Sequence, residues 1–283
     1  MEPFMLKGDK PPLFVLEPWY SQGTQITAGF TSRQGGIGTK PYESLNCAFH
    51  VGDDPQDVLT NRHIVTDYLG FELEDWTCGE QTHGVNIAEV TSADRGRGSQ
   101  DRTSAFADTD GLLTNVPGVL LTSFYADCVP LYFYDPVRSV VGLAHAGWKG
   151  TVGQIAEAMV KKMGQIYGSL PQDILAAIGP SIGACCYEVN DHVMDYVHPL
   201  EDSLRREGAG SESLYTPSDN SPGKSMLNLK ELNRRIMIKA GILPTHIECT
   251  TWCTSCNTDL FFSHRKENGS TGRMTSWIGI KES

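Results

Sequence analysis

Three residues of this chain could do metal or nucleophile chemistry, and each stands at the edge of an apolar run. They are His83 in Glu80-Gln81-Thr82-His83-Gly84, Cys128 in Ala126-Asp127-Cys128-Val129-Pro130, and His145 at the head of His145-Ala146-Gly147-Trp148-Lys149-Gly150-Thr151. Strand ends are where a rigid scaffold exposes side chains to a cleft. Two imidazoles and a thiolate form a borderline-soft set suited to Zn²⁺. Three protein ligands leave one tetrahedral position for water, as in catalytic rather than structural zinc, and such water has a pKa near about 7. No short ligand motif links the three, so the alternative is a loop histidine and a buried cysteine acting as a small hydrophobe. The same residues allow a second chemistry, with Cys128 as thiolate nucleophile and His145 as its base. Asp127 is the nearest candidate for proton transfer. Adjacent strand residues point to opposite faces, however, which would make it structural.

Other segments offer accessory groups. Gly147-Trp148-Lys149-Gly150-Thr151 lies between a strand and a helix start, where backbone N–H groups favour an anion and Lys149 adds charge. It is not a P-loop: Gly142 and Gly147 have the right separation, but Trp148 occupies the lysine position. A tight strand–helix turn is the equally weighted alternative. Arg33, in Thr31-Ser32-Arg33-Gln34-Gly35-Gly36, suits a bidentate oxyanion contact, or a hairpin turn with a solvated arginine. Cys185 and Cys186 are adjacent and so poor disulfide partners. One is expected in the core and one facing a pocket. Cys249, Cys253 and Cys256 invite a zinc-ribbon reading that His246 or His264 would have to complete, with buried thiols as the alternative.

The elements that must position these groups are legible in the middle of the chain. Gly118–Tyr125, Val129–Tyr134 and Ser139–His145 read as strands, and Asp173–Gly179 as a further strand before the Pro180-Ser181-Ile182-Gly183 turn. Val152, Ile155, Ala156, Met159, Val160, Met163 and Ile166 recur at spacings of three and four, one face of a helix ending near Gly168. Leu229–Ala240 reads as another helix, stopped by Gly241. Strands and helices mix without a regular βαβ rhythm, which predicts an α+β fold with mixed sheets rather than a doubly wound parallel sheet. Residues 91–105, 205–224 and 265–273 are loops by composition. None separates self-sufficient segments, so residues 1–283 are expected to form a single catalytic domain, with residues 1–25 as an N-terminal extension and 205–224 as a surface loop.

Composition narrows the partners. The 283 residues carry 23 Lys plus Arg against 34 Asp plus Glu, a net charge of −11. That balance argues against nucleic acid, whose binding needs a positive field, yet leaves room for a locally positive pocket and a small anionic substrate. The first twenty residues contain no uninterrupted apolar region of the signal-peptide kind, and no apolar run is long enough to cross a bilayer. A cytoplasmic location and no membrane partner are expected. Eight cysteines are too sparse for a disulfide scaffold, leaving thiols, metal ligands or nucleophiles.

The segments Gln81-Thr82-His83-Gly84, Ala126-Asp127-Cys128-Val129-Pro130-Leu131, His145–Thr151 and Gly179–Val189 together resemble the purine nucleoside phosphorylase / laccase-domain family, also known as multicopper polyphenol oxidase-like proteins and peptidoglycan editing factors. Residues 30–36, 41–54 and 254–273 are similar to it as well, so the resemblance runs from about residue 26 to the end. It implies a layered α/β/β/α arrangement with mixed sheets, like that of a cysteine-hydrolase toxin fold. It implies zinc held by His83, Cys128 and His145, and a substrate contact for Arg33. The implied activities are phosphorolysis of adenosine, inosine and methylthioadenosine, and adenosine deamination. On that reading Arg33 and the Gly147–Thr151 turn, with Lys149, supply the phosphate site, and purine nucleosides and phosphate are the partners. A copper polyphenol oxidase is a weaker alternative. The eight histidines include no His-x-His and none lie closer than six positions apart, too few ligands for several coppers. Copper could still replace zinc, because Cu²⁺ outbinds Zn²⁺ at the same ligands. A cysteine amidase acting on peptidoglycan precursors is the other alternative, but a thiolate tied to a metal is not free to attack. A non-catalytic binding module would leave the convergence of thiolate, imidazole and arginine unexplained.

Overall fold

The computed structural model describes residues 1–20, 25–219 and 221–282. The strands are Phe4–Lys7 (β1), Leu13–Leu16 (β2), Ile26–Thr31 (β3), Trp76–Cys78 (β4), Ile87–Glu89 (β5), Gly111–Thr114 (β6), Leu120–Tyr125 (β7), Val129–Asp135 (β8), Val140–Ala146 (β9), Leu175–Ile178 (β10), Glu188–Val189 (β11), Tyr215–Pro217 (β12), Ser225–Leu227 (β13), Ile247–Cys249 (β14) and Met274–Ile280 (β15). The helices are Glu17–Tyr20 (α1), Pro55–Leu69 (α2), Trp148–Val152 (α3), Ile155–Tyr167 (α4), Asp191–Arg206 (α5) and Leu229–Lys239 (α6). One six-stranded sheet runs β1-β2-β3-β15-β7-β4, a second runs β14-β10-β8-β9-β6-β5, and a small third sheet runs β11-β13-β12. Both large sheets are mixed: β4·β7, β10·β14 and β5·β6 are parallel, and the other pairs antiparallel.

Side-chain alternation explains the layering. In β8, Leu131 and Phe133 join the cluster packed with Ile155, Met159 and Met163 of α4 and Leu232 and Ile236 of α6. Tyr132, between them, points the other way, into a cluster with Phe14, Phe30, Leu121 and Ile278 of the first sheet. The far face of the first sheet, with Trp76, Leu120 and Trp277, packs on Val65 and Leu69 of α2. The order is therefore helix, sheet, sheet, helices, the mixed-sheet α+β layering expected.

The predicted elements are present with small shifts. The long amphipathic segment is broken: Gln154 takes φ 62° and separates α3, which holds Val152, from α4. Gly168 closes α4 at φ 70°, a left-handed conformation that glycine adopts without Cβ strain. Residues 1–20, from the expected N-terminal extension, supply β1 and β2, two strands beside β3. Their apolar side chains Phe4, Leu13, Phe14 and Leu16 need the cover that the sheets provide. The segment 205–224 is not all loop, because α5 runs to Arg206 and β12 pairs with β13. Residues 21–24 of the first segment and residue 220 of the second lie outside the described residues. None of the described helices is long and apolar enough to cross a membrane.

Candidate active site

Strand register assembles the centre. β8 and β9 form an antiparallel hairpin in which Pro130 faces His145 and Val129 faces Ala146. Cys128 precedes β8 with the same parity as Pro130 and Tyr132, so it falls diagonal to His145 on the inter-sheet side. β6 pairs with β9 with Gly111 opposite Ala144, which sets Asp110 against His145. The Asp110 carbonyl accepts the His145 N–H at 2.8 Å, and its Oδ1 lies 2.8 Å from His145 Nδ1. The same carboxylate accepts the backbone N–H groups of Thr82 at 3.0 Å, His83 at 3.0 Å and Gly84 at 2.7 Å. One buried aspartate thus fixes both histidines, including His83 in its left-handed φ of 63°.

His83, Cys128 and His145 present ligand atoms that all lie within 4.8 Å of one another. This donor set fits a zinc-class ion, and the surroundings fit it too. Gly147 opposes the cluster, where an added Cβ would sit 2.8 Å from His83 Cδ2 and 3.2 Å from Cys128 Sγ. The sequence suggested Gly147 for anion approach; the structure gives it the task of leaving room for the ligands. Gly147→Ala should push a ligand aside and lower metal affinity about 10- to 100-fold, the scale of disturbed outer-sphere partners. Chelator competition measures this, and an unchanged affinity would remove Gly147 from the account. Asp110 holding Nδ1 leaves His145 Nε2 as the ligand atom, the usual carboxylate–histidine–metal arrangement. Asp110 was not picked out in the sequence, because its role comes from contacts 26 to 35 residues away.

The electrostatics agree. Burial would raise the Cys128 thiol, but the His145 charge and hydrogen bonds from both imidazoles bring its pKa down to about 6. Burial lowers His145, yet the Cys128 charge and the Asp110 hydrogen bond outweigh it and hold His145 at about 9. In metal-free protein Cys128 is therefore a thiolate at neutral pH. Iodoacetamide should modify it at a rate that is nearly flat from pH 8 to 7 and falls as pH drops through about 6. A rate that keeps climbing up to pH 9 would contradict the assignment, and added zinc should protect.

The triad opens on a cleft of about 810 Å³ lined by His50, Gln81, Trp148, Ile182, Tyr187, Glu188, Lys224, His264, Arg265 and Arg273, among others. A smaller recess of about 300 Å³, lined by Thr82, Gly147, Lys149, Tyr187 and Leu229, adjoins the same His83 and Cys128. A cavity in this range suits a small-molecule ligand. Arg265 and Arg273, which the sequence reading passed over, bring positive charge to the cleft of an acidic chain. The signal was present, since both arginines lie in the segment Thr254–Arg273 that carried part of the resemblance.

Several expected site residues have other tasks. Arg33 lies outside the cleft lining: its Nε donates to the Glu43 carbonyl at 3.1 Å, and its Nη1 to the Thr258 carbonyl at 2.9 Å and Glu267 Oε1 at 3.0 Å. It also stacks on Phe262, 4.5 Å from the ring centroid. The guanidinium is engaged in tying loops together, away from the cleft lining. Thr151 is fully buried and its Oγ1 accepts from Asn233 Nδ2 at 2.9 Å, while its N–H donates to the Gly147 carbonyl. It lines neither the cleft nor the smaller recess. Lys149 is exposed and lines only the smaller recess. Asp127 has its carboxylate satisfied by Thr254 Oγ1 at 2.6 Å, Ser263 Oγ at 3.1 Å and the Arg265 N–H at 2.7 Å. This carboxylate anchors two loops beside Cys128, the structural task that strand alternation allowed for it. The zinc-ribbon grouping is also corrected. Cys249 ends β14 and packs at the edge of the helical core, whereas Cys253 and Cys256 converge with Cys185 and Cys186. Neither Cys185 nor Cys186 is a core residue.

The four-layer mixed fold and a two-histidine, one-cysteine centre at its sheet edge define the class. The family model for multi-copper polyphenol oxidoreductase laccase matches residues 27–281, and the chain belongs to this family. It is 42% identical over 275 residues to "Purine nucleoside phosphorylase YlmD" of Bacillus subtilis, covering 96% of each chain. To the protein of the same name from Geobacillus stearothermophilus it is 47% identical over 255 residues, 90% of each. Among solved structures, the Bacillus licheniformis hypothetical protein YfiH superposes with a TM-score of 0.91 at 45% identity, covering 99% of this chain and 100% of that one.

Proposed function

We propose that this chain is a zinc-dependent purine nucleoside enzyme that phosphorolyses adenosine, inosine and methylthioadenosine and deaminates adenosine. The observation that carries the reading is one cleft holding both a ligand triad and the cations Arg265 and Arg273. The full-length relatives named purine nucleoside phosphorylase support the substrate class. Zinc held by His83, Cys128 and His145 would supply Lewis-acid charge at the floor of the cleft. The residues around it do the binding. On this reading Arg265 and Arg273, which line the cleft, hold the phosphate that displaces the purine from C1′ of the ribose. Trp148 and Tyr187 offer aromatic faces on which a purine can lie. Gln81 bonds the Phe124 backbone through both its amide atoms, at 2.9 Å and 2.8 Å, and so stiffens the wall. Asp110 keeps the proton on His145 Nδ1. The whole chain serves as one catalytic domain, acting in the cytoplasm on small molecules and not on nucleic acid.

The test is to incubate adenosine with the purified enzyme, with and without phosphate, and to determine bound metal. Adenine and ribose 1-phosphate with phosphate, inosine without it, and one zinc equivalent lost in His83→Ala support the reading. Copper with oxygen consumption on phenols would move the protein to the oxidase reading. The Cys128–His145 pair also has nucleophile–base geometry. A metal-free enzyme that cleaves amides and is inactivated by alkylation at Cys128 would establish a cysteine hydrolase instead.

A further inference from the structure

A second metal-ligand set lies apart from the triad. β10 and β14 are parallel neighbours, with Ile178 opposite Cys249, so the loops that follow them leave the sheet side by side. The first loop brings Cys185 and Cys186, the second Cys253 and Cys256. All four Sγ atoms lie within 4.8 Å of one another. Cys256 Sγ is 3.5 Å from Cys185 Sγ and 3.4 Å from Cys186 Sγ. Sulfurs at the corners of a zinc tetrahedron with bonds near 2.3 Å are about 3.8 Å apart, so the observed spacing is close to that edge. It is too long for a disulfide, whose sulfurs are about 2.05 Å apart. The Gly183 N–H donates to Cys253 Sγ at 3.2 Å, the charge-assisted contact a thiolate ligand takes. A Cβ on Gly183 would stand 3.2 Å from Cys185 Sγ and 3.4 Å from Cys253 Sγ, so glycine leaves space for the sulfurs.

We propose that Cys185, Cys186, Cys253 and Cys256 bind a structural zinc ion, separate from the His83–Cys128–His145 centre. Four thiolates close the tetrahedron, so this ion keeps no open position and does no chemistry on substrate. Its effect is mechanical. The first loop carries Ile182 and Tyr187 into the cleft wall, and the Ile182 N–H donates to the Asp127 carbonyl at 3.0 Å. The second loop carries Thr254, whose N–H donates to the Ser181 carbonyl at 3.1 Å and whose hydroxyl holds Asp127. An ion joining the loops fixes the cleft wall beside Cys128 without touching the reacting atoms. The assignment does not depend on which substrate the enzyme uses.

Metal content of the intact protein, purified under reducing conditions and loaded with Zn²⁺ alone, tests this. The native chain should hold two zinc ions. His83→Ala/Cys128→Ala should hold one, and so should Cys185→Ser/Cys256→Ser, which alters only the two exposed ligands. Loading the first variant with Co²⁺ should give strong near-ultraviolet thiolate-to-cobalt absorption, and adding Cys256→Ser should largely abolish it. That optical readout stands even if the cysteine variants lose activity or stability. The proposal is overturned if His83→Ala/Cys128→Ala takes up no zinc. It is equally overturned if non-reducing peptide mapping finds Cys256 in a disulfide with Cys185 or Cys186 in protein made under those conditions.

Discussion

Cys128→Ala is expected to eliminate turnover of adenosine, with and without phosphate, together with zinc at the triad. Cys128 supplies the only anionic ligand of the three and interacts with both imidazoles, whose ligand atoms lie within 4.8 Å of its sulfur. Alanine leaves a two-histidine site that cannot hold zinc at ordinary free concentrations. Losing a direct ligand should exceed the roughly 10- to 100-fold effect of losing an outer-sphere partner. Both reactions should fall together, because one centre serves both. A second readout is independent of catalysis. In metal-free protein the Cys128 charge is the largest influence raising His145, which otherwise falls under its own burial. An NMR titration of Cys128→Ala should therefore show His145 releasing its proton at a lower pH than in the parent. Full turnover in this variant would end the metal-centred account, and an unmoved His145 would show that the two side chains do not meet.

Asp110→Asn should cost about 10- to 100-fold in zinc affinity and in turnover while leaving the fold intact. The carboxylate accepts three backbone N–H groups from residues 82–84 and faces the His145 ring. A neutral amide can serve one side or the other. Aimed with its oxygen at the loop, it presents N–H groups to His145 Nδ1 and forces the opposite tautomer, which moves the proton onto the atom that should bind metal. Asp110→Ala is less informative, since it strips acceptors from three N–H groups at about 1–3 kcal/mol for each one left buried and unpaired. Chelator competition with Asp110→Asn, alongside its thermal melt, separates the roles. A normal melt with weakened zinc is the expected pair. Unchanged zinc affinity would make Asp110 a loop anchor only.

The elements that the sequence exposed most plainly were those with strong local patterns. The runs around β7, β8 and β9 are apolar because both faces of those strands are covered, and α4 shows its apolar stripe because one face meets β8 and β9. The helices α2 and α5 escaped notice. Pro199, a residue that disfavours helix interiors, stands inside the continuous α5, and the buried positions of α2 include Asn61, Arg62 and Thr66, which do not look like a core face. Arg62 is buried because it donates to the carbonyls of Cys47, Gly98 and Ser99, a demand that loop backbone makes and hydropathy does not record.

Residue types alone made His83, Cys128 and His145 candidates for a metal set, since ligand softness and charge belong to the side chains themselves. Family motifs strengthened the grouping. Only the tertiary structure decided who supports that set and who does not. Asp110 joins the triad, Arg33 and Thr151 bond away from the cleft, Asp127 is held by loops beside Cys128, and Cys253 and Cys256 meet Cys185 and Cys186 rather than Cys249. Each of those outcomes depends on strand register and on which backbone groups need partners. Such pairings join residues tens to hundreds of positions apart, and no local pattern encodes them.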